Sequence, residues 1–404
     1  MKKTDKQDLR KGVFRRLFTN PLSAGSMILL GIFALVSIFG YVLSPDRSPN
    51  ANRQHLELSA RKPGFSVGML KLRKNSLAPE KGFLGMLAGG REDEWQYFPL
   101  TGHTFLEDSL QIQPYTGDTG IVSFRRSFHY ADVLYPVMDA RSITKAGKGI
   151  YELVLPDNEV MKLSRDLMIQ DIKDAHIISR TFLLGTDRFG RDLLSRIILG
   201  TRISFAVGFI AVLISLIIGL ILGMLAGYYQ GITDKIIMWL INVVWSVPTL
   251  LLVISLTLVL GKGFWQIFVA VGISMWVEVA RLVRGQVMGI RRLEYIEAAK
   301  VLGYSNFRIM FRHILPNIIP PLIIISASNF ASAILIEAGL SFLGIGIQPP
   351  VASWGSMIRD HYGYIIVDKA YLAIIPGTAI MLLVLAFTLL GNGLRDALDV
   401  KRTS

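Results

Sequence analysis

Cysteine is absent from this 404-residue chain, which removes disulfides, thiolate metal sites, redox chemistry and cysteine nucleophiles together. Histidine is scarce, and none of the six lies three or four residues from another, so no metal-ligand spacing forms. Charge is thin as well: 18% of residues are charged against 51% apolar, and the mean hydropathy is +0.46. Acidic residues number 30 against 43 basic ones, for a net charge of +13. Over 46–180 the balance is nearly even, 18 basic to 17 acidic, so the excess lies in the remaining segments. Those segments are mostly apolar and contain no basic strip interleaved with aromatics. The excess therefore reads as membrane topology rather than nucleic-acid binding. No internal repeat and no low-complexity tract is present.

What the chain does have is long apolar runs, the pattern of an all-α polytopic membrane protein. The first run, 22–43, follows Lys2, Lys3, Lys6, Arg10, Lys11, Arg15 and Arg16. At about 1.5 Å per residue it reaches roughly 33 Å, enough to cross a bilayer. It is too long for the core of a secretory signal, and Tyr41-Val42-Leu43-Ser44-Pro45 offers no cleavage site, so it reads as an anchor. Further runs at 203–228, 236–260, 264–283, 318–342 and 370–391 bring the expected spans to six. Pro248, inside the third, should kink it.

The division expected is a cytoplasmic tail (1–21), a first span (22–44), an extracytoplasmic segment (45–201), a five-span core (202–391) and a cytoplasmic tail (392–404). Orientation follows from basic residues: 7, 1, 6 and 3 in the tail, the 229–235 turn, the 284–316 loop and the final tail. The short opposing loops hold only Lys262, Arg359 and Lys369, which favours cytoplasmic termini. The 45–201 segment carries Trp95, Tyr97, Phe98, Phe124, Phe128, Tyr130 and Tyr135, too many aromatics for a solvating linker. Tyr151–Leu155 and Val160–Leu163 flank a turn-forming Pro156-Asp157-Asn158-Glu159, so a small strand-containing domain is expected.

The informative loop is Glu297-Ala298-Ala299-Lys300-Val301-Leu302-Gly303, then after nine residues His313-Ile314-Leu315-Pro316. A helix over 291–302 should place Leu293, Ile296, Ala299 and Leu302 along one side. Gly303 suits a left-handed cap, Ser305 can start a second helix, and Pro316 should stop it. The expectation is a rigid elbow able to pass motion from a soluble partner into the bundle.

This spacing resembles the EAA signature of ABC importer permeases, Glu-Ala-Ala, three residues, Gly, nine residues and a terminal Leu-Pro. Leu184-Gly185-Thr186-Asp187-Arg188-Phe189-Gly190-Arg191-Asp192 with Ser195-Arg196, Ala338-Gly339-Leu340-Ser341-Phe342-Leu343-Gly344 with Gln348-Pro349-Pro350 and Trp354-Gly355, and Leu390-Gly391-Asn392-Gly393-Leu394-Arg395-Asp396 look like the second permease subunit of dipeptide and oligopeptide (and nickel) systems. The resemblance implies a type I importer permease fold, with the 46–180 insert as a departure. It implies that Glu297, Ala298, Ala299, Gly303 and Pro316 belong to the ATPase-coupling loop. It also implies a second permease subunit, two ATPase subunits and an extracytoplasmic solute-binding protein as partners, beside the membrane lipid. ATP and Mg are expected on the ATPase partners, with no cofactor in this chain. Between Gly185 and Gly190, Arg191-Asp192 stands where a phosphate loop needs Lys-Ser/Thr, so no nucleotide site is read there.

Polar residues inside apolar spans need an explanation. Asn242, Ser246 and Thr249 recur at i, i+4 and i+7, and Ser326, Asn329 and Glu337 at i, i+3 and i+11. Each set should share a helical face, either lining the translocation path or bonding between helices. Glu278 should pair with Arg281 or Arg284. Gly208, Gly219, Gly223 and Gly227 should bring the second span close to a neighbour, in this chain or another. An ion-coupled secondary transporter would predict inverted repeats and discontinuous mid-membrane helices, neither of which the sequence displays. A membrane sensor would need an output domain that the tails 1–21 and 392–404 cannot hold. No nucleophile–base pair suggests an enzyme.

Overall fold

The computed structural model describes residues 16–75, 82–117, 124–137, 142–147, 149–155, 159–261 and 263–398. The N-terminal basic cluster up to Arg15, the turn at 156–158, Lys262 and residues 399–404 lie outside the described residues. The longer helices are α1 (Pro21–Leu43), α2 (Phe83–Gly89), α3 (Leu193–Tyr229), α4 (Gly231–Trp245), α5 (Thr249–Leu260) and α6 (Phe264–Ile290). They are followed by α7 (Glu294–Val301), α8 (Asn306–Phe342), α9 (Trp354–His361) and α10 (Tyr371–Leu398). The chain divides into two compact units, one of Met1–Ile38, Gly200–Gly363 and Ala373–Ser404, the other of Phe39–Leu199 and Tyr364–Leu372.

Among the described residues five helices, α1, α3, α6, α8 and α10, are long and apolar enough to cross a membrane. A sixth span exists if α4 and α5 count as one, but these two meet at a 91° bend. The expected kink is thus a full break, and the chain does contain a discontinuous apolar helix. Pro248 has no N–H to return to the Val244 carbonyl and disfavours helix at Val247, so α4 ends at Trp245. Pro248 then takes an extended ψ of 129° and stands as the N-cap of α5. α3 also begins well before its apolar run, at Leu193 rather than 203.

α6 is the centre of the helical unit. Val271, Met275 and Phe268 pack with Val207 and Ala211 of α3, Val253 of α5 and Ala333 and Leu340 of α8. Val279, Val283 and Val287 continue that seam beside Met224 and Tyr228 of α3. Gly219, Gly223 and Gly227 of α3 face this valine ridge, a Cβ on Gly223 lying 2.7 Å from Val283 Cβ and one on Gly227 2.8 Å from Val287 Cβ, whereas Gly208 lies against Phe330 of α8. The close neighbour of the glycine stripe is therefore a helix of the same chain.

The second unit holds an antiparallel sheet in the order β4-β3-β2-β1-β8 and a three-stranded sheet β5-β6-β7. Their ranges are β1 Phe65–Arg73, β2 Trp95–Phe105, β3 Ser109–Pro114, β4 Arg126–His129, β5 Ile143–Gly147, β6 Ile150–Val154, β7 Val160–Ser164 and β8 Ile177–Phe182. The expected hairpin is β6–β7, with Tyr151 opposite Leu163 and Leu153 opposite Met161. Leu70, Leu110, Ile112, Tyr130, Leu153 and Met168 form its main core. Tyr130 is a core aromatic as expected, whereas Phe124 is 93% exposed. The unit also takes in Tyr364–Leu372, read from sequence as part of the core: Tyr371 Oη donates to the Arg61 carbonyl at 2.6 Å.

Candidate coupling site

α7 is short because its ends are strongly signalled. Glu294 and Glu297 in its first turn and Lys300 in its last complement the helix dipole. Gly303 follows with φ +75°; its N–H bonds the Lys300 carbonyl at 2.9 Å, and Tyr304 N–H reaches back to the Ala299 carbonyl at 3.1 Å. That pair is a Schellman cap, which needs the left-handed residue glycine supplies. Ser305 then caps α8, accepting from Arg308 N–H at 3.4 Å.

The elbow differs from its expected form at Pro316. Pro316 does not stop a second short helix; it lies inside the continuous run Asn306–Phe342. A wider, π-type turn over Ile309–Ile314 immediately precedes it and accommodates the missing N–H. α7 therefore connects through Gly303 directly into a membrane-length helix. Tyr228 Oη of α3 donates to Asn306 Oδ1 at 2.8 Å, and Asn317 Nδ2 of α8 donates to Tyr295 Oη at 3.3 Å.

The EAA residues divide between two surroundings. Ala299 and Ile296 are buried against Ile309, Met310 and Ile314. Leu293 and Leu302, expected on the same side, lie at the helix ends and stay exposed. Glu297, Ala298 and Gly303 are exposed, and a Cβ on Gly303 would meet nothing within 4 Å. Beside them Val301 is 88% exposed, Leu302 72% and Phe307 66%. Leu302 was expected on the buried side, and the sequence reading gave Val301 and Phe307 no role. The available signal was that α7 is apolar on two sides, one more than a helix with a single partner needs.

The polar sets also separate. Asn242, Ser246 and Thr249 do not share a helical face, because the α4–α5 break falls between the last two; all three are exposed. Ser326 and Asn329 lie on unbroken α8, half-buried and buried, with Ser326 Oγ bonded to the Leu322 carbonyl at 2.6 Å. Asn329 is 1% exposed, and neither side-chain amide atom has a partner among the described residues. Glu278 is exposed on α6 and forms no ion pair among the described residues. Arg284 instead pairs with Asp234 at 2.5 and 2.7 Å, and Arg281 stacks 3.5 Å from the Trp245 ring centroid.

Two other motifs close on themselves. Glu337 Oε1 accepts from Ser341 Oγ and Ser353 Oγ, both at 2.7 Å, and Ser341 Oγ in turn accepts from Ile347 N–H at 3.2 Å. Trp354 is fully buried, over Gly200. In the second unit, Asp187 accepts from the N–H groups of Phe189 and Arg191 and pairs with Arg191 Nε at 2.6 Å. Asp192 N-caps α3 through Ser195 N–H at 2.9 Å, while Ser195 Oγ accepts from Asp46 N–H at 2.9 Å. His55, 8% exposed, lies in the same unit; burial, with the Arg180 and Arg53 charges, pushes its pKa down to about 4.

Residues 219–404 match the family described as "Binding-protein-dependent transport system inner membrane component". The chain is 44% identical over 221 residues to the glutathione transport system permease protein GsiD of Pectobacterium atrosepticum, covering 55% of this chain and 73% of that one. It is 43% identical over 220 residues to the dipeptide transport system permease protein DppC of Alkalihalophilus pseudofirmus, covering 54% and 72%. Among solved structures, an inward-facing MetNI methionine ABC transporter chain is similar at 17% identity and a TM-score of 0.41, covering 51% of this chain and 97% of that one. The chain belongs to the binding-protein-dependent inner-membrane component family. Within it, this is a permease of the peptide group of ABC importers.

Proposed function

We propose that this chain forms one half of the translocation path of a peptide importer and receives ATPase motion through α7. The observation that carries the coupling role is the exposed apolar group Val301, Leu302 and Phe307 beside Glu297 and Ala298, at the tip of an elbow continuous with α8. An exposed apolar cluster next to basic residues fits a protein partner rather than water. Ala299 then serves the inner face of the elbow, transmitting displacement to α8 through Ile309 and Ile314. ATP and Mg act on the ATPase partners, and a second permease subunit and a solute-binding protein complete the importer.

In this reading α4 and α5 together make one broken span, giving six, with both termini cytoplasmic and the strand-containing unit extracytoplasmic. The exposed polar residues at the break, Asn242, Ser246 and Thr249, face the path. Ser326 and Asn329 lie within the helix packing. The broken span is the one feature an ion-coupled secondary transporter would also predict, but that reading leaves the coupling elbow without a purpose. Cargo is a peptide-type solute, the class named for the GsiD and DppC relatives.

The test is purification of the chain from native membranes in mild detergent, with mass spectrometry of what accompanies it, beside a Gly303→Asp variant. Recovery of an ATPase with the wild type, and its loss or uncoupling in the variant, supports the assignment. A folded wild-type chain that brings no ATPase refutes it.

A further inference from the structure

Helix α2 is out of keeping with the domain that carries it. Its sequence, Phe83-Leu84-Gly85-Met86-Leu87-Ala88-Gly89, contains no charge, yet Phe83 is 63% exposed and Leu84 79%. Part of the helix is accounted for: Met86 lines a cleft of about 290 Å³ with Arg47, Arg53, Arg91 and Trp95. What remains is a short helix whose first turn leaves Phe83 and Leu84 mostly uncovered among the described residues.

The position of α2 identifies what covers these two residues. Gly90, directly after the helix, lies against Tyr41, where an added Cβ would come 2.7 Å from the ring. Arg91 N–H donates to the Arg47 carbonyl at 3.0 Å, and Tyr41 Oη accepts from Asn50 N–H at 3.2 Å. Tyr41 belongs to the last turn of α1, the first membrane-length helix. A seven-residue helix is about 10 Å long, so its apolar tip stays within that distance of where α1 leaves the bilayer. Tyrosine at a span's end marks the headgroup level.

We propose that α2 is an interfacial anchor that inserts Phe83 and Leu84 into the leaflet at which α1 ends. It fixes the strand-containing domain to the lipid surface as well as to the span. The partner is the bilayer itself, at the boundary of headgroups and acyl chains.

The natural absence of cysteine makes the test direct. Leu84→Cys and, as a control, Phe124→Cys are labelled with an environment-sensitive nitrobenzoxadiazole in the full permease, with its co-purifying partners, in phosphatidylethanolamine/phosphatidylglycerol nanodiscs. Both side chains are mostly exposed, at 79% and 93%, so neither substitution opens a core. The label at 84 is expected to lose most of its emission to doxyl-bearing lipid and little to aqueous iodide, with the reverse at 124. Quenching at 84 by iodide alone overturns the anchor. Shielding from both quenchers also overturns it, because a protein then covers α2.

Discussion

The elbow after α7 and the knot after α8 are built with the same device and do opposite things. Each helix ends in a Schellman cap on a left-handed glycine, Gly303 at φ +75° and Gly344 at φ +80°. After Gly303 the chain leaves Val301 88% exposed and Leu302 72% exposed. Beyond Gly344 it folds back until Glu337, Ser341, Ser353 and Trp354 are all at 1% exposure or less. A cap motif thus says only that the helix stops. Whether the stop presents a surface or seals one depends on what the following residues find to pack against. The Leu184–Arg196 motif resembles the closed end: Asp187 accepts from Phe189 and Arg191, and Asp192 from Ser195, all within the motif.

The comparison predicts large stability effects at the closed motifs and small ones at the open elbow. Trp354→Ala should be most damaging, at about 3–5 kcal/mol, because it empties the space above Gly200; thermal unfolding in detergent reads it. A pH titration probes the Asp187 region through His55. The neutral ring is favoured in the folded state, so its contribution is complete above about 6.5 and is lost as pH falls toward 4. That loss amounts to at most about 3 kcal/mol. Unfolding midpoints of wild type and His55→Gln across that window should diverge, and parallel curves would remove His55 from the account.

Glu337→Ala should cost about 1–3 kcal/mol by leaving two buried hydroxyls without their acceptor, whereas Glu337→Gln should recover most of it. Gly303→Ala should cost only about 1 kcal/mol, from the left-handed backbone alone, since space is open there. The double change Val301→Ser and Leu302→Ser should move stability by less than about 0.5 kcal/mol. It should nevertheless reduce ATPase recovery on co-purification. If those two exposed substitutions destabilise the chain as much as Glu337→Ala, the contrast between open and closed ends fails.

Several local features were readable before any coordinates. Gly303 as a left-handed cap, Ser305 as an N-cap and the β6–β7 hairpin all depend on residues within one turn or one strand pair. Pro316 was misread because its effect depends on the turn before it: the π-type turn over Ile309–Ile314 lets the helix run on. Asn242, Ser246 and Thr249 fit a helical period, but the period lost its meaning once Pro248 broke the backbone between them. Glu278 was expected beside Arg281 or Arg284, three or six residues on, whereas the carboxylate of Arg284 is Asp234, fifty residues back on another helix.

The sequence by itself determined the class of this protein: apolar runs of membrane length, a loop resembling the EAA signature, and motifs in peptide-permease order. These are properties of composition and short-range order, written into consecutive residues. Only the tertiary structure decided that the α3 glycines meet a valine ridge of α6, that Ala298 faces out while Ala299 faces in, and that Glu337 is held by two serines. Those outcomes depend on which surfaces meet when helices far apart in sequence pack. A one-residue step around a helix is a 100° turn, enough to move a side chain from an exposed face to the protein's own core.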